Sequence, residues 1–249
     1  MKQSLDSHTV IIRSNDSPDE FKRFFTMLVR TEPRQGSLYT LEADAFYRAA
    51  LNENAEIISD ISFVVITNGV PAAAVKGYIV RRDGKLVAEN LETPVRVISA
   101  QNVLHDDLES LILAELKEKL IGKVSAVRFA DFHIAGFVSR ISKFFAKEYG
   151  IGYVPSYFRV INLANSLEEI RSDVRKSYKS LINRGIKELS PFIVDDTNIV
   201  VEDMMKMREL HIREAGRETR SYDSWLRLYD MIKVKSSFMV LGSRDTRAN

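Results

Sequence analysis

The sequence contains no cysteine. This absence excludes a disulfide framework, a thiol nucleophile and a zinc site with cysteine ligands. Histidine is scarce as well, and the four histidines show no metal-ligand spacing: they are His8, His105, His133 and His211. A His-Glu-x-x-His motif is also missing. We therefore expect no metal cofactor.

Other motifs and segments are missing too. The sequence has no Gly-x-Ser-x-Gly nucleophile elbow, and Gly122-Lys123 lacks the upstream glycine and the following Ser or Thr of a Walker loop. No window approaches the roughly 18 apolar residues that a membrane-spanning helix requires. The N-terminal segment has no apolar run behind its charge, so no signal peptide is predicted. These absences predict a cytoplasmic protein without stable membrane insertion.

Positive and negative charges are nearly balanced in this sequence. The formal net charge is +2 over 249 residues, of which 45% are hydrophobic and 28% charged. The chain is long enough to bury one large core or two modest ones. Because the net charge is small, no global field attracts nucleic acid or an anionic membrane, and any such argument depends on local basic clusters.

The first part of the chain alternates strands and helices. Asn68-Gly69 and Asp83-Gly84 tolerate the positive φ angles of two-residue hairpin turns, so they predict an antiparallel meander. In chain order, the pattern predicts a strand at 8–13, helices at 17–29 and 41–51, strands at 57–67, 72–81 and 85–97, a helix at 106–120, a strand at 123–130, a helix at 134–149 and a strand at 157–163. This order indicates a mixed α/β domain.

The second part of the chain partly repeats this order. Ser166 and Glu169 form a capping box for a helix predicted over 167–189, and further helices follow at 200–215 and 222–234. A strand begins near residue 237, and the polar residues 242–249 resemble a tail. We interpret this part as a second copy that is incomplete at its C-terminus, with domains at 1–155 and 156–249.

Two segments of the second part carry a family resemblance. The basic run from Asp173 to Gly185, and the later positions His211, Gly216-Arg217, Arg220-Ser221 and Trp225, resemble the second domain of Fem-type transferases and their FemAB-like acetyltransferase relatives. The element order is similar to the GNAT acetyltransferase fold. The resemblance implies an α/β (mixed α+β) fold, with a GNAT-like mixed sheet, flanking helices and a partial second GNAT-like unit.

The resemblance also implies an activity. Such enzymes transfer an acyl or aminoacyl group, from acyl-CoA or aminoacyl-tRNA, to an amine of a cell-wall or surface-polysaccharide precursor. The resembling segments contain no diagnostic catalytic motif, so the catalytic residues are unknown. The expected partners are a phosphorylated small-molecule donor or acceptor, or a tRNA.

The predicted helix at 167–189 is amphipathic and basic. Between residues 171 and 187 it carries six basic residues and one acid, Asp173. Arg171, Arg175 and Lys179 follow one another at four-residue spacing, where like charges repel, and Arg184 lies on the opposite edge of the apolar stripe. A phosphate would relieve this repulsion. A solvated face explains the same pattern equally well.

The segment 216–221 is predicted to connect two helices. Gly216 suits a left-handed C-cap and Ser221 an N-cap, but these roles leave Arg217 and Arg220 unexplained. Trp225 would either stack on a ligand or fill the core, and a core position is favoured. The predicted substrate-binding residues are Arg175, Lys179, Arg184, His211, Arg217, Arg220 and Trp225.

The N-terminus of the helix at 106–120 is a poor donor site. GNAT enzymes hold the CoA pyrophosphate in a Gly-rich loop at a helix N-terminus. Here Asp106, Asp107 and Glu109 occupy that end instead, and no glycine precedes them. The equivalent loop of the second unit is expected beyond Asn249. Three hypotheses follow: a FemAB-like transferase, an inactive truncated paralogue, and a nucleic-acid-binding module that uses the 167–189 helix.

Overall fold

The fold is a mixed α/β arrangement. The computed structural model describes residues 8–31, 39–51, 55–100, 105–130, 138–150, 152, 164–233 and 240–245. The strands of its first part are β1 (Thr9–Arg13), β2 (Ala55–Asp60), β3 (Phe63–Thr67), β4 (Val70–Lys76), β5 (Tyr78–Arg82), β6 (Lys85–Glu89), β7 (Arg96–Ser99) and β8 (Ala126–Val127). They form two four-stranded sheets, with the orders β1-β3-β4-β7 and β2-β5-β6-β8.

The predicted antiparallel meander is confirmed. Asn68-Gly69 joins β3 to β4, and Asp83-Gly84 joins β5 to β6. All four turn residues have positive φ angles, as the turn chemistry requires. Neighbouring strands of both sheets are antiparallel, except that β6 and β8 are parallel.

Each of the three long strands predicted in the meander is divided into two. The strand predicted at 57–67 becomes β2 and β3, the one at 72–81 becomes β4 and β5, and the one at 85–97 becomes β6 and β7. At the first two divisions, the Ser62 hydroxyl bonds to both the amide and the carbonyl of Gly77, at 3.2 Å each. Gly77 has no room for a side chain, because a Cβ there would lie 2.8 Å from Val95 Cγ2.

Four helices cover these sheets: α1 (Pro18–Thr31), α2 (Leu41–Ala50), α3 (Asp106–Leu120) and α4 (Arg140–Glu148). Phe25 and Leu28 of α1 pack on Val64 of one sheet. Ile112 and Leu116 of α3 belong to the largest core cluster, which also contains Phe145 of α4. The apolar spacing that predicted these helices is therefore the spacing that builds the core.

Two predicted boundaries in this part are wrong. The strand predicted at 123–130 shrinks to β8, because residues 123 and 124 still bond back to the Leu120 carbonyl at the end of α3. The helix predicted at 134–149 is observed from Arg140, with the Ser139 hydroxyl accepting a bond from the Ser142 amide. Residues 131–137, including Asp131 and His133, lie outside the described residues, and so does the strand predicted at 157–163.

The second part contains the helices α5 (Leu167–Asp173), α6 (Lys176–Glu188), α7 (Val201–Ala215) and α8 (Tyr222–Lys233). The capping box of Ser166 and Glu169 is confirmed. The helices predicted at 200–215 and 222–234 are confirmed as well. The division of the chain near residue 155 stays a prediction, since most of residues 151–163 lie outside the described ranges.

The single helix predicted at 167–189 is wrong. Val174 and Arg175 are not helical, with ψ angles of 132° and 144°, so α5 ends at Asp173 and α6 begins at Lys176. Side chains stabilise this break: Lys179 donates to the Ser172 carbonyl at 3.0 Å, and Arg171 of α5 bonds to Asn183 of α6. Arg171, Arg175 and Lys179 therefore do not form one row along a continuous helix.

A two-stranded antiparallel sheet follows α6. Its strands are β9 (Leu189–Val194), which was not predicted, and β10 (Val240–Asp245). The interpretation of residues 242–245 as part of a polar tail is wrong, because these residues pair with β9. Pro191 lies within β9, and proline weakens any strand prediction because it cannot donate to a ladder.

Helix α8 joins the two parts of the chain. Met231 of α8 packs with Ala43 and Phe46 of α2 in one apolar cluster. Trp225 and Ile232 of the same helix belong to a second cluster, shared with α7 and β9. The connection from α7 to α8 therefore lies beside α2.

Candidate functional site

The connection between α7 and α8, residues 216–221, is fixed at both ends. Gly216 has a φ angle of 67°, which confirms the predicted left-handed C-cap. The Ser221 hydroxyl accepts a bond from the Ser224 amide at 3.2 Å, as an N-cap does. It also donates to the carbonyl of Ala49 at 2.8 Å, which attaches the loop to α2.

The middle of this loop is fixed by side chains of α7. Glu218 accepts a bond from Arg208 at 2.6 Å, and the Thr219 hydroxyl lies 3.2 Å from His211 Nδ1. Arg217 and Arg220 flank these two fixed residues and are exposed. The loop thus presents two guanidinium groups on an ordered backbone.

The two arginines have different surroundings. Arg220 lies over the Phe46 ring, 5.5 Å from its centroid, in a cation–π contact. For Arg217, the described part of the chain provides neither a hydrogen bond nor an ion pair. The buried Nε of Arg208, which lies on the preceding helix, also has no acceptor among the described residues. Arg217 is therefore an exposed donor that an anionic ligand can satisfy, whereas the Nε of Arg208 is closed to solvent.

Trp225 occupies the core position that the sequence favours over ligand stacking. It is 6% exposed and packs with Val194, Ile199 and Met204. Its ring meets that of His211 edge to face, with 5.7 Å between the centroids. Trp225 therefore supports His211, which in turn holds Thr219 of the loop.

Helix α2, which supports the loop, is itself held by a buried charged cluster. The Lys76 ammonium lies 3.1 Å from the Asp44 carboxylate, and the Tyr78 hydroxyl donates to the same oxygen at 2.5 Å. Arg48 donates to the other carboxylate oxygen at 2.9 Å. Lys76 also bonds to the Tyr78 hydroxyl. Lys76 and Tyr78 are almost completely buried, whereas Arg48 reaches solvent.

The protonation of this cluster follows from burial and charge. Burial lowers the pKa of Lys76, and attraction to Asp44 offsets part of that effect. Burial also raises the pKa of Tyr78, which keeps its phenol protonated. Burial alone would raise the pKa of Asp44, but Lys76, Tyr78 and Arg48 outweigh burial and lower it. The cluster is therefore a closed set of paired charges that fixes α2 on the sheet.

Sequence reasoning missed this cluster. Lys76 and Tyr78 are two positions apart in the chain, but Asp44 precedes Tyr78 by 34 positions. The one available signal is Lys76 itself, a charged residue at the end of the apolar run of β4. Such a residue indicates a buried partner without naming it.

The remaining predicted residues lie at the N-cap of α6 and within α6. Arg175 is the N-cap of α6, where its side chain makes no capping bond. Lys179 bonds back to the Ser172 carbonyl, and Arg184 lies 3.6 Å from Glu188. The first turn of α6 contains no acidic residue. The structure thus places the predicted residues in two groups, one on α6 and its N-cap and one around the loop at 216–221.

The acidic N-terminus of α3 is confirmed. Asp106, Asp107 and Glu109 lie in its first turn, and His105 makes no side-chain cap. Glu109 also has a structural partner, because its carboxylate accepts bonds from the backbone amides of Arg140 and Ile141 at 2.5 and 3.2 Å. It therefore occupies the N-terminus of α4 as well, and neither helix N-terminus favours an anion.

Other kinds of site find less support. A cavity of about 300 Å³ lies beside β9, and the charged residue in its lining is the acidic Asp203, which disfavours a phosphate. Within the described ranges, no group of three or more His, Asp or Glu side chains is placed to hold a metal ion. The described helices include none that is long and apolar enough to cross a membrane.

Comparisons with known proteins do not assign a family. No protein-family model matches the chain, and no curated protein matches it. Among solved structures, the aminoglycoside N-acetyltransferase AAC(6')-Iy in complex with CoA aligns with 66% of this chain and 99% of its own, at 13% identity and a TM-score of 0.32. A superposition at this score carries no conclusion about fold family or activity.

Proposed function

We propose that this chain is an acyl- or aminoacyltransferase of the FemAB-like kind. It would take an acyl group from acyl-CoA, or an aminoacyl group from aminoacyl-tRNA, and pass it to an amine of a cell-wall or surface-polysaccharide precursor. The sequence resemblance described above motivates the reaction class. The observation that carries the proposal is the loop at 216–221, which is anchored and presents Arg217 and Arg220.

Phosphate is the group that both suggested donors share. Arginine binds phosphate through paired N–H donors, and a loop held by rigid elements offers those donors with little loss of entropy. Arg217 lacks a partner within the described ranges, so binding would not first have to break an ion pair. Arg175 and Lys179, near the start of α6, would contact a second phosphate or the acceptor.

The alternative with a specific observation in its favour is nucleic-acid binding. It rests on the six basic residues between positions 171 and 187. Such binding would weaken steeply with salt and would not distinguish sequences. The small net charge and the scarcity of aromatic side chains among these basic residues favour the transferase.

The test is calorimetric titration with acetyl-CoA, nucleotide sugars and charged tRNA. We expect one of these ligands to bind, and Arg217→Ala and Lys179→Ala each to weaken it about tenfold, since each removes a charge-assisted bond. The matched control is Arg81→Ala, which removes an exposed arginine of β5 and should leave affinity unchanged.

Three results would count against the proposal. Unchanged affinity in both variants would show that Arg217 and Lys179 do not contact the ligand. Equal, salt-sensitive binding of unrelated RNA and DNA would favour the nucleic-acid alternative. Binding of none of these ligands would favour the inactive copy.

A further inference from the structure

Helix α6 exposes an apolar face. The face consists of Tyr178, Leu181, Ile182 and Ile186, which are 57%, 55%, 40% and 64% exposed. No residue of this 13-residue helix is buried. An amphipathic helix normally packs its apolar stripe on a core. A free helix of this length is also marginal in water. The exposed apolar face therefore indicates that α6 binds a partner.

Basic side chains border this face. At 100° per residue, Lys179 lies along one edge of it, and Arg184 lies along the other edge together with the acid Glu188. Arg175 is the non-helical N-cap at the start of the helix. Arg184 is 71% exposed and lies 3.6 Å from Glu188, whereas Arg175 and Lys179 have no acidic partner among the described residues. A partner that matches the region is therefore apolar in the middle and negatively charged beside Arg175 and Lys179.

We propose that α6 is a peripheral membrane-binding helix that lies in the plane of an anionic lipid surface. Its apolar face would enter the boundary between headgroups and acyl chains, and the bordering arginine and lysine side chains would contact headgroup phosphates. A basic amphipathic helix with exposed aliphatic residues binds such surfaces in two ways at once. Its apolar side chains are buried in the membrane, and its basic side chains are attracted to the anionic headgroups.

Two other occupants satisfy the observations less well. A second copy of the chain, docked on the same face, would bring Arg175, Lys179 and Arg184 of each copy into one contact against the single acid Glu188, and this excess of positive charge would repel. A nucleic acid would satisfy the charges but would gain little from leucine and isoleucine, and Tyr178 is the one aromatic residue of the face. The lipid proposal shares Arg175 and Lys179 with the proposed function, but it rests on the apolar side chains and does not require the transfer reaction.

The test is sedimentation of the full chain with vesicles of phosphatidylcholine, with and without phosphatidylglycerol. We expect binding only when phosphatidylglycerol is present. The double variant Ile182→Ser/Ile186→Ser should reduce the partition coefficient by about tenfold or more, because it removes buried apolar area. The matched control is Val70→Ser, which changes an aliphatic residue of β4 that is 62% exposed, close to the 64% of Ile186, and should bind as wild type does.

Circular dichroism and thermal unfolding of each variant establish that it is folded, which the exposure of both isoleucines favours. Addition of inorganic phosphate at constant ionic strength should not release the protein, because the apolar contacts persist. The proposal is overturned if no vesicle binds, or if the isoleucine variant binds like wild type. Release by phosphate, or concentration-dependent dimerisation that the same variant abolishes, would also overturn it.

Discussion

The two parts of this chain use charged residues in opposite ways. In residues 8–130 the main ionic groups are buried or partly buried against each other, as in Asp44–Lys76 and Arg13–Glu115. In residues 167–220 the basic groups are mostly exposed, and Arg175 and Arg217 have no side-chain partner within the described ranges. Paired, buried charges fix a structure, whereas exposed, unpaired charges are available to a ligand. This difference places the proposed binding surface in the second part.

The apolar residues differ in the same way. Helix α3 buries Ile112, Leu116 and Leu120 completely in the main core. Helix α6 has a similar length and buries none of its residues. The first helix is therefore held by packing, whereas the second is held by a few polar contacts and one strand, β9.

The largest expected effect concerns the buried charge pair. Asp44→Asn should lower the free energy of unfolding by about 4 kcal/mol, because it leaves the Lys76 ammonium buried without its counter-charge. The matched variant in the exposed region, Arg184→Gln, should change the free energy of unfolding by no more than about 0.5 kcal/mol. Urea denaturation of both variants measures the difference. A loss below about 1 kcal/mol in Asp44→Asn would contradict the structural role assigned to the cluster.

The next comparison is between core and surface aliphatic residues. Leu116→Ala should cost about 3 kcal/mol, since it removes a fully buried side chain and leaves a cavity. Ile186→Ala should cost no more than about 0.5 kcal/mol in the absence of a partner. Equal losses in the two denaturation curves would show that α6 packs on something in the free protein.

A smaller effect depends on pH. Hydrogen bonds from Arg13, joined by the charge of Lys119, lower the pKa of Glu115 despite its burial. A lowered carboxylate pKa contributes stability that is fully present above the unfolded pKa of about 4.3 and is lost as pH falls through the folded pKa.

Glu115→Gln should therefore cost about 2 kcal/mol near neutral pH, a value reduced from that of a fully buried pair because Arg13 is partly exposed. The variant should also lose less stability than wild type on acidification. Glu188→Gln on α6 is the control and should change neither quantity. Parallel stability–pH curves for wild type and Glu115→Gln would contradict the predicted pKa shift.

The smallest effect concerns the N-termini of two helices, α3 and α6. Asp107→Asn should destabilise α3 by about 0.5 kcal/mol, because it removes a carboxylate from the positive end of the helix dipole. Lys176→Glu, at the start of α6, should stabilise that helix by a similar amount. Thermal unfolding at low salt measures both changes, and identical signs would contradict the contrast between the two N-termini.

Local signals in the sequence predicted much of the fold. The hairpin turn at Asn68-Gly69 and the helix C-cap at Gly216 both need positive φ angles, and both are observed where they were predicted. The helices at 200–215 and 222–234 follow from apolar spacing and caps. The break at Val174-Arg175 could not be predicted in this way, because it depends on contacts between α5 and α6 that form only after folding.

The site was predicted less completely than the fold. Arg217 and Arg220 stand out in the sequence because the caps at Gly216 and Ser221 leave them unexplained. The bond from Ser221 to Ala49, and the cluster of Asp44 with Lys76, join residues far apart in the chain. Only the arrangement of α2 between the sheet and α8 brings these residues together.

The proposed anion-binding surface is tested most directly by titrating the protein with inorganic pyrophosphate and following the backbone amide chemical shifts. We predict that the shifts change at residues 217–220 and at the start of α6, around Arg175 and Lys176. We also predict that the amides of Asp106 and Asp107 stay unchanged. Changes concentrated at the N-terminus of α3, with none in the loop at 216–221, would contradict the proposed location of the binding surface.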